Sequence, residues 1–508
     1  MYRMKVLLGF GAATGVSLGL ICHQQNRDLK TRAYASCSGL TKGISNPRQI
    51  DVIYDVAIIG GGILGCSVGY HLASLDKKKK KKIAILEKGT IGCEASSLAA
   101  GTLCHDGNDI KEPSWYDYLS TKSRPILHDL ESKYGIELDL IVNGTLTVAE
   151  TAAEKAYLLT AYKEMKANGS NVRFLSSHDE VAKLEPAVKG GSVIGAIYSP
   201  LGGHADPSKV THGLCEAAEI EGAHVFEGQR VISVNKIGMV QDEDSACRYE
   251  VRTSQGKSFW ARHVVVCTGC HDNKLLRESF GIEIPVIPVK GQIWVTDVRP
   301  SGTLNTVIYN AASEMTWRKI REKESEKITE KKLLPRQANI NSKWKNGERM
   351  FHHVYGRQTA DGTLLFGGDR IVVNDNNGHL DYAVEEERVK ENYDFIKKIV
   401  PTVGDMYGSY CCYMPFSMCE DGKPLLGELT NAGLNGLWLA VGFGPSGITL
   451  GPMAGKLLAE TILSTDCEYA SADSDSPVMR ELDPNRVVRN IISRSKSPDS
   501  KLGSQMPA

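Results

Sequence analysis

Three glycines, Gly60, Gly62 and Gly65, make a G-x-G-x-x-G run with Gly61, Ile63 and Leu64 between them. Glycine is what the chain needs where backbone must come close to an anion. Gly60 permits a tight turn, Gly62 leaves room for a pyrophosphate, and Gly65 lets a helix lie against a strand. The helix that opens there offers free N–H groups and the positive end of its dipole to phosphates. An acid, Glu87, ends the next apolar segment, where a carboxylate binds ribose hydroxyls. A glycine turn in an unrelated fold would not need that acid, so the chemistry indicated is dinucleotide binding.

Other reactive residues form looser sets. Cys267 and Cys270 make a C-x-x-C and Cys411 and Cys412 are adjacent, but no second pair stands at zinc-ribbon spacing, and no metal site is expected. His353, Tyr355 and Arg357 alternate just before Asp361-Gly362, which places all three on one face of a strand. They are the candidates for catalysis or substrate binding, set against a purely structural role. Gly442 and the Gly444-Pro445-Ser446-Gly447 turn could aim N–H groups at a developing negative charge.

Periodicity supplies the elements that position these groups. Tyr54–Ile59 and Ile83–Glu87 read as buried strands, with a helix over Ser67–Leu75 between them: a β-α-β unit with the glycine run at its first junction. Helical patterns follow at Leu119–Tyr134, Ala152–Asn168 and Pro207–Gly222, the last capped by Asp206 with Pro207 at its first position. Strands are expected at Arg230–Lys236, Tyr249–Thr253, Arg262–Cys267, Leu364–Gly368 and Leu437–Gly442, and a final helix at Gly447–Leu463. Lys77–Lys82 cannot pack together and form a solvated loop or helix end. The charge-rich stretch 316–349 reads as an exposed insertion, and 466–508 as a disordered tail rich in Ser, Asp and Pro.

The motif alone does not separate NAD from FAD. Further along, the chain carries in order Ala95–Gly101, Gly202-Gly-His-Ala-Asp-Pro207, Val264–Gly269, Pro288-Val-Lys-Gly-Gln292, Asp361-Gly362 with Gly367-Gly368, Asp421–Gly427 and Gly442–Pro452. This ordered set resembles the D-amino-acid oxidase (DAO-like) family of FAD enzymes, which includes glycine and sarcosine oxidases and related dehydrogenases. The resemblance covers 53–465. It implies an α/β fold: a Rossmann-like FAD-binding lobe built from discontinuous segments, and a second, mixed-sheet substrate lobe. For FAD it implies contacts from Gly60, Gly62, Ile63, Leu64, Gly65, Glu87 and Lys88. Ser96, Ser97, Ala100 and Gly101 come from the small-residue loop, and Val231, Thr268 and Gly269 from the second FAD-contacting region. Gly442, Gly444, Gly447 and Ile448 complete the set. The reaction implied is hydride removal from a carbon bearing nitrogen, or oxygen in some relatives, onto flavin N5.

Two departures from the family pattern concern the substrate. Relatives with G-x-R-P-x-(T/S) place a carboxylate-binding arginine where this chain has Met414, and a late arginine falls near Pro445. Both anchors are missing, which leaves His352, His353, Tyr355, Arg357 and His204 to compensate. Cys411-Cys412-Tyr413 is similar to the covalent flavin attachment region of sarcosine-oxidase-like members, with a pair of buried small side chains as the alternative. The first rival function is a flavin-binding assembly factor or chaperone for a mitochondrial respiratory complex; others are a 2-hydroxy-acid dehydrogenase and an NAD-dependent dehydrogenase.

The N-terminal 1–52 read as a leader and linker. Val6–Cys22 is apolar and free of charge, preceded by Arg3 and Lys5, which fits a mitochondrial presequence, a secretory signal or a short membrane anchor. The mitochondrial reading is preferred. Lysine plus arginine balance aspartate plus glutamate, 60 against 60, so nothing recruits nucleic acid; the partners expected are a small-molecule substrate and an electron acceptor or respiratory complex. The 13 cysteines lack the spacing of a disulfide scaffold.

Overall fold

The computed structural model describes residues 52–107, 110–237, 248–316, 349–373, 380–419, 421–465 and 476–487, with side chains in β14 described from Val354 onward. The leader, including Val6–Cys22, and nearly all of the charged insertion lie outside this set. Eighteen strands are labelled here in chain order.

The first sheet contains β1 (Ile53–Ile59), β2 (Ile83–Leu86), β8 (His224–Phe226), β11 (Ser258–Val266), β17 (Leu425–Glu428) and β18 (Leu437–Val441), in the order β17-β18-β11-β1-β2-β8. β1 pairs in parallel with both β2 and β11, so it sits at the centre. Its run of Val56, Ala57, Ile58 and Ile59 is buried on both faces, as a parallel strand covered by helices must be. A meander of β9 (Val231–Lys236) and β10 (Tyr249–Thr253) extends from β11.

Helix Gly447–Thr465 packs on helix Ile63–Leu75, behind the glycine run. A Cβ on Gly455 would lie 2.2 Å from the Ser67 hydroxyl, so glycine is required for this approach, and that hydroxyl donates to Pro452 O at 3.0 Å. Helix Pro207–Ile220 starts as its sequence predicts, the Asp206 carboxylate accepting from Lys209 N at 2.8 Å.

The second sheet is mixed, in the order β16-β12-β15-β14-β13-β4-β6-β5. It uses β4 (Thr145–Ala149), β5 (Arg173–Leu175), β6 (Gly195–Ser199) and β12 (Val286–Val298), then β13 (Val307–Asn310), β14 (Arg349–Gln358), β15 (Thr363–Val372) and β16 (Met406–Ser417). All its pairings are antiparallel except β13 with β4. One face is closed by Trp294 stacked on Phe366 under helix Glu386–Ile399, with the indole N–H donating to Asn392 Oδ1 at 2.8 Å. The other face is left for the site. A short ribbon of β3 (Thr102–Leu103) and β7 (Gly203–His204) links the two lobes.

One expectation is corrected. Within the segment expected to be a disordered tail, Pro477–Leu482 is a helix whose Val478, Met479 and Leu482 are buried. Arg486 fastens it, its guanidinium donating to Asp421 Oδ2 at 2.9 Å and to Lys423 O and Pro424 O at 3.0 Å. Averaged over its polar neighbours, three apolar residues at helical spacing carry too little signal; their burial, together with one guanidinium fork, orders the segment.

Candidate active site

The glycine run behaves as its spacing demands. Gly60 has φ +109° and donates to Leu86 O at 2.8 Å, turning the chain from β1 into the helix. A Cβ on Gly65 would stand 1.9 Å from Gly60 O. At Gly62 a Cβ would meet nothing closer than the Ser96 hydroxyl at 3.1 Å, because that side opens on a cavity. The Ser96 hydroxyl accepts from Ile63 N at 3.0 Å and so holds the small-residue loop over the helix start. Glu87 is buried at the end of β2, its two oxygens accepting from Gly61 N and Gly89 N, both at 2.8 Å.

The cavity encloses about 690 Å³ between the two sheets. Its walls bring together Gly60, Gly62, Ile63, Leu64, Glu87, Lys88, Ser96, Ala100, Gly101, Val231, Thr268, Gly269, Gly442, Gly444, Gly447 and Ile448. Gly65 lies beneath, packing helix on strand. Ser97 is not part of the wall; its N–H donates to Gly92 O at 3.1 Å, and its hydroxyl lies beside Gly92. Gly442 (φ +80°) and Gly444 (φ +55°) take the left-handed backbone that brings the start of helix Gly447–Thr465 to the wall. A long cavity with an open glycine at a helix start, a fixed carboxylate beside it and a second helix N-terminus farther along suits an extended dinucleotide with a ring at one end.

Charges gather at the rim. The Lys88 ammonium contacts Glu94 and lies 2.8 Å from His271 Nε2, itself 3.1 Å from Glu94 Oε2. Burial pushes the Glu94 carboxyl up, but the His271 hydrogen bond and charge and then the Lys88 ammonium outweigh it and hold it at about 2.

At the other end the mixed sheet presents Tyr309, Tyr355, Arg370, Cys412 and Met414 to the cavity, with Tyr116 and Glu314 closing the side. Tyr309 and Tyr355 are cross-strand partners. The Arg370 guanidinium is buried, sits 5.6 Å from the centre of the Tyr355 ring and donates to Asp369 O at 2.9 Å. Gly291 makes room for it: a Cβ there would lie 3.1 Å from Arg370 Nη1.

Of the three candidates on β14, Tyr355 reaches the cavity, and the side chain of His353 lies outside the described residues. Arg357 is no part of the wall. Its guanidinium turns to Ala100 O and, at 3.2 Å, to His204 Nδ1, so it clamps the small-residue loop to the β3–β7 ribbon. Burial and then the Arg357 charge push His204 down to about 3, leaving it neutral, as an acceptor for a guanidinium must be. Cys412 faces the cavity, whereas the Cys411 thiol points away and donates to Tyr382 O at 3.1 Å. Cys267 and Cys270 are free thiols, and no metal-binding cluster occurs among the described residues.

Arg370, Tyr309, Tyr116 and Glu314 were not read from the sequence. Arg370 follows Gly367-Gly368 by two residues, inside the last strand of a recognised motif. Asp369 adopts φ +64° and the β12–β15 register slips between Lys290 and Gln292, so simple alternation gives the wrong face for Arg370.

A dinucleotide-binding sheet with a parallel centre, a mixed sheet and a cavity between them define a two-lobe flavoprotein oxidoreductase. The chain belongs to the family described as FAD dependent oxidoreductase (DAO), whose model matches residues 55–318 and 328–461, and FAD is its cofactor. The glycine oxidase of Geobacillus kaustophilus is 27% identical over 80% of this chain and 93% of its own. The crystal structure of glycine oxidase from that organism superposes with a TM-score of 0.64 at 26% identity, covering 84% of this chain and 97% of that one. Human mitochondrial dimethylglycine dehydrogenase is 25% identical over 85% of this chain, which spans only 44% of that longer protein. Among the described residues no helix is long and apolar enough to cross a membrane.

Proposed function

We propose that this enzyme oxidises the C–N bond of a small amine that carries a carboxylate, an amino acid or N-alkyl amino acid. The observation that carries the reading is Arg370, a buried guanidinium in the cavity wall, while Met414 and Pro445 stand where the family resemblance implies arginines. A guanidinium holds a carboxylate through two parallel hydrogen bonds, fixing direction as well as position. Relatives named glycine oxidase and dimethylglycine dehydrogenase support the substrate class.

The places of this chain's residues support one set of roles. Gly60, Gly62 and the start of helix Ile63–Leu75 meet the pyrophosphate, and Glu87 the adenosine ribose, with Lys88, Val231, Thr268 and Gly269 around that half. Ser96, Ala100 and Gly101 close over the cofactor from the loop that Arg357 clamps. The Gly442–Ile448 turn sets a helix N-terminus toward negative charge. FAD, when bound, would supply the two-electron acceptor for the hydride released from the substrate carbon. Arg370 orients the substrate, and the apolar and aromatic walls from Met414, Tyr355 and Tyr309 exclude water around it.

The basic, apolar leader and the mitochondrial dehydrogenases among the relatives support a mitochondrial address. They also favour an acceptor other than oxygen, which dye reduction measured against oxygen uptake would distinguish.

The test is an anaerobic absorbance scan of the purified flavoprotein against amino acids, N-methyl amino acids, carboxylate-free amines and 2-hydroxy acids. Bleaching of the flavin band by a compound bearing both amine and carboxylate is expected. Bleaching by carboxylate-free amines to the same extent would remove the anchor from the account, and bleaching by 2-hydroxy acids alone would move the reaction to a C–O bond.

A further inference from the structure

Glu314 is the cavity residue left without a task. It lies in the helical turn 311–316 directly after β13, the strand that places Tyr309. Its side chain opens on the cavity and makes no hydrogen bond or ion pair with any described residue. Among the described residues, the titratable groups facing it are Asp106 and Cys104, with Tyr309 and Tyr116 bonded to that thiol. None of them is a cation. Glu314 is exposed on the cavity wall, and a carboxylate facing a substrate cavity is matched by a positive charge.

Arg370 and Glu314 give the cavity two opposite poles, with Tyr355 and Tyr309 on adjacent strands between them. We propose that Glu314 receives the ammonium group of the substrate and takes one proton from it, so that the pocket is built for a small zwitterion rather than a 2-hydroxy acid. This rests on the amino-acid reading above. In the step, one N–H bond breaks and its electron pair stays on nitrogen as a lone pair. The proton forms an O–H bond on a Glu314 oxygen, converting carboxylate to carboxylic acid. That lone pair is what the neighbouring carbon needs to release hydride to the cofactor and close a C=N bond; an ammonium has none.

Although Glu314 is exposed on the cavity wall, the protein packed around its carboxyl and then the Asp106 charge push it up to about 7. A base poised near neutrality both accepts the proton and gives it up to solvent after turnover. Below that pH Glu314 is neutral and can neither pair with the ammonium nor receive its proton.

The experiment has a binding arm and a rate arm on the FAD-loaded protein. In the first, acetate and N,N,N-trimethylglycine are titrated by calorimetry; neither is oxidisable through a nitrogen lone pair. Glu314→Gln is expected to weaken trimethylglycine about 10-fold while leaving acetate unchanged, and Glu314→Asp to keep most of the wild-type preference. In the second, anaerobic bleaching by the best amino acid is followed from about pH 6 to about pH 9. The wild-type rate should rise through about 7, and Glu314→Gln should be slower by about 100-fold and lose that limb. A Glu314→Gln protein with unchanged trimethylglycine affinity and an unchanged limb overturns the proposal. So does loss of FAD in that variant, since a residue that meets only substrate has no part in holding cofactor. If no compound bleaches the wild type, the amino-acid reading fails while the binding arm still decides the role of Glu314.

Discussion

The two ends of the cavity are built from different kinds of information. At the dinucleotide end, function rests on backbone: glycines that let main chain approach a ligand, helix starts that offer N–H groups, and one carboxylate fixed by two backbone donors. At the substrate end, it rests on side chains that a mixed sheet brings together from four strands and a helical turn. Backbone requirements leave a local spacing in the sequence. A side-chain constellation assembled across β13, β14, β15 and β16 leaves none. Such a constellation can change without disturbing the dinucleotide end.

That contrast can be broken most forcefully at the backbone end. Gly65→Val puts atoms where Gly60 O already stands, 1.9 Å from the new Cβ, and no flexible side chain can yield. The overpacking costs about 3 kcal/mol, and the protein should purify without FAD, read as loss of the flavin band relative to the protein band. Retained FAD would show that the cradle is not the binding site.

Arg370→Met should leave FAD bound while lowering the anaerobic bleaching efficiency for a carboxylate-bearing amine about 100-fold, the value of a charge-assisted anchor of ~3 kcal/mol. An unchanged rate would contradict the assignment. Arg357→Met tests the opposite role. It should loosen FAD by about 10-fold through the freed Ala100 loop, and leave the preference for carboxylate-bearing substrates intact. Equilibrium dialysis of FAD and the substrate panel separate the two arginines.

The smallest effect is on acid stability. His204 is held neutral at about 3 in the fold against an ordinary 6.5, so its contribution is full above 6.5 and is lost as pH falls toward 3. Glu94, held at about 2 against 4.5, adds a contribution that is full above 4.5 and fades below it. The melting temperature should therefore fall as pH drops from about 6.5, and less steeply in His204→Gln. Equal slopes would remove His204 from the explanation.

The legible part of the molecule was the part with local period or punctuation. β1, β2, helix Pro207–Ile220 with its Asp206 cap, and the Gly442–Gly447 turn stand where apolar runs, cap residues and glycines put them. The ordered motifs also gave the mixed-sheet lobe, which periodicity alone would have left as scattered strands. Arg357 was legible as a residue, but not the direction of its guanidinium, which turns to Ala100 O and His204 Nδ1. Strand alternation gives a face, but not whether a long side chain folds back onto a loop such as Ala95–Gly101. Arg370 was hidden by the bulge at Asp369, and Glu314 by its place beyond the end of β13, where no period applies. The buried helix Pro477–Leu482 was hidden by the composition around it.

The most direct measurement is the anaerobic bleaching rate of the wild type and Arg370→Met with an N-methyl amino acid and with the corresponding carboxylate-free N-methyl amine. The account predicts that the wild type is reduced faster by the amino acid by about 100-fold, and that the variant loses this preference while keeping its flavin. A wild type reduced equally by both compounds, or a variant that keeps the preference, would contradict it.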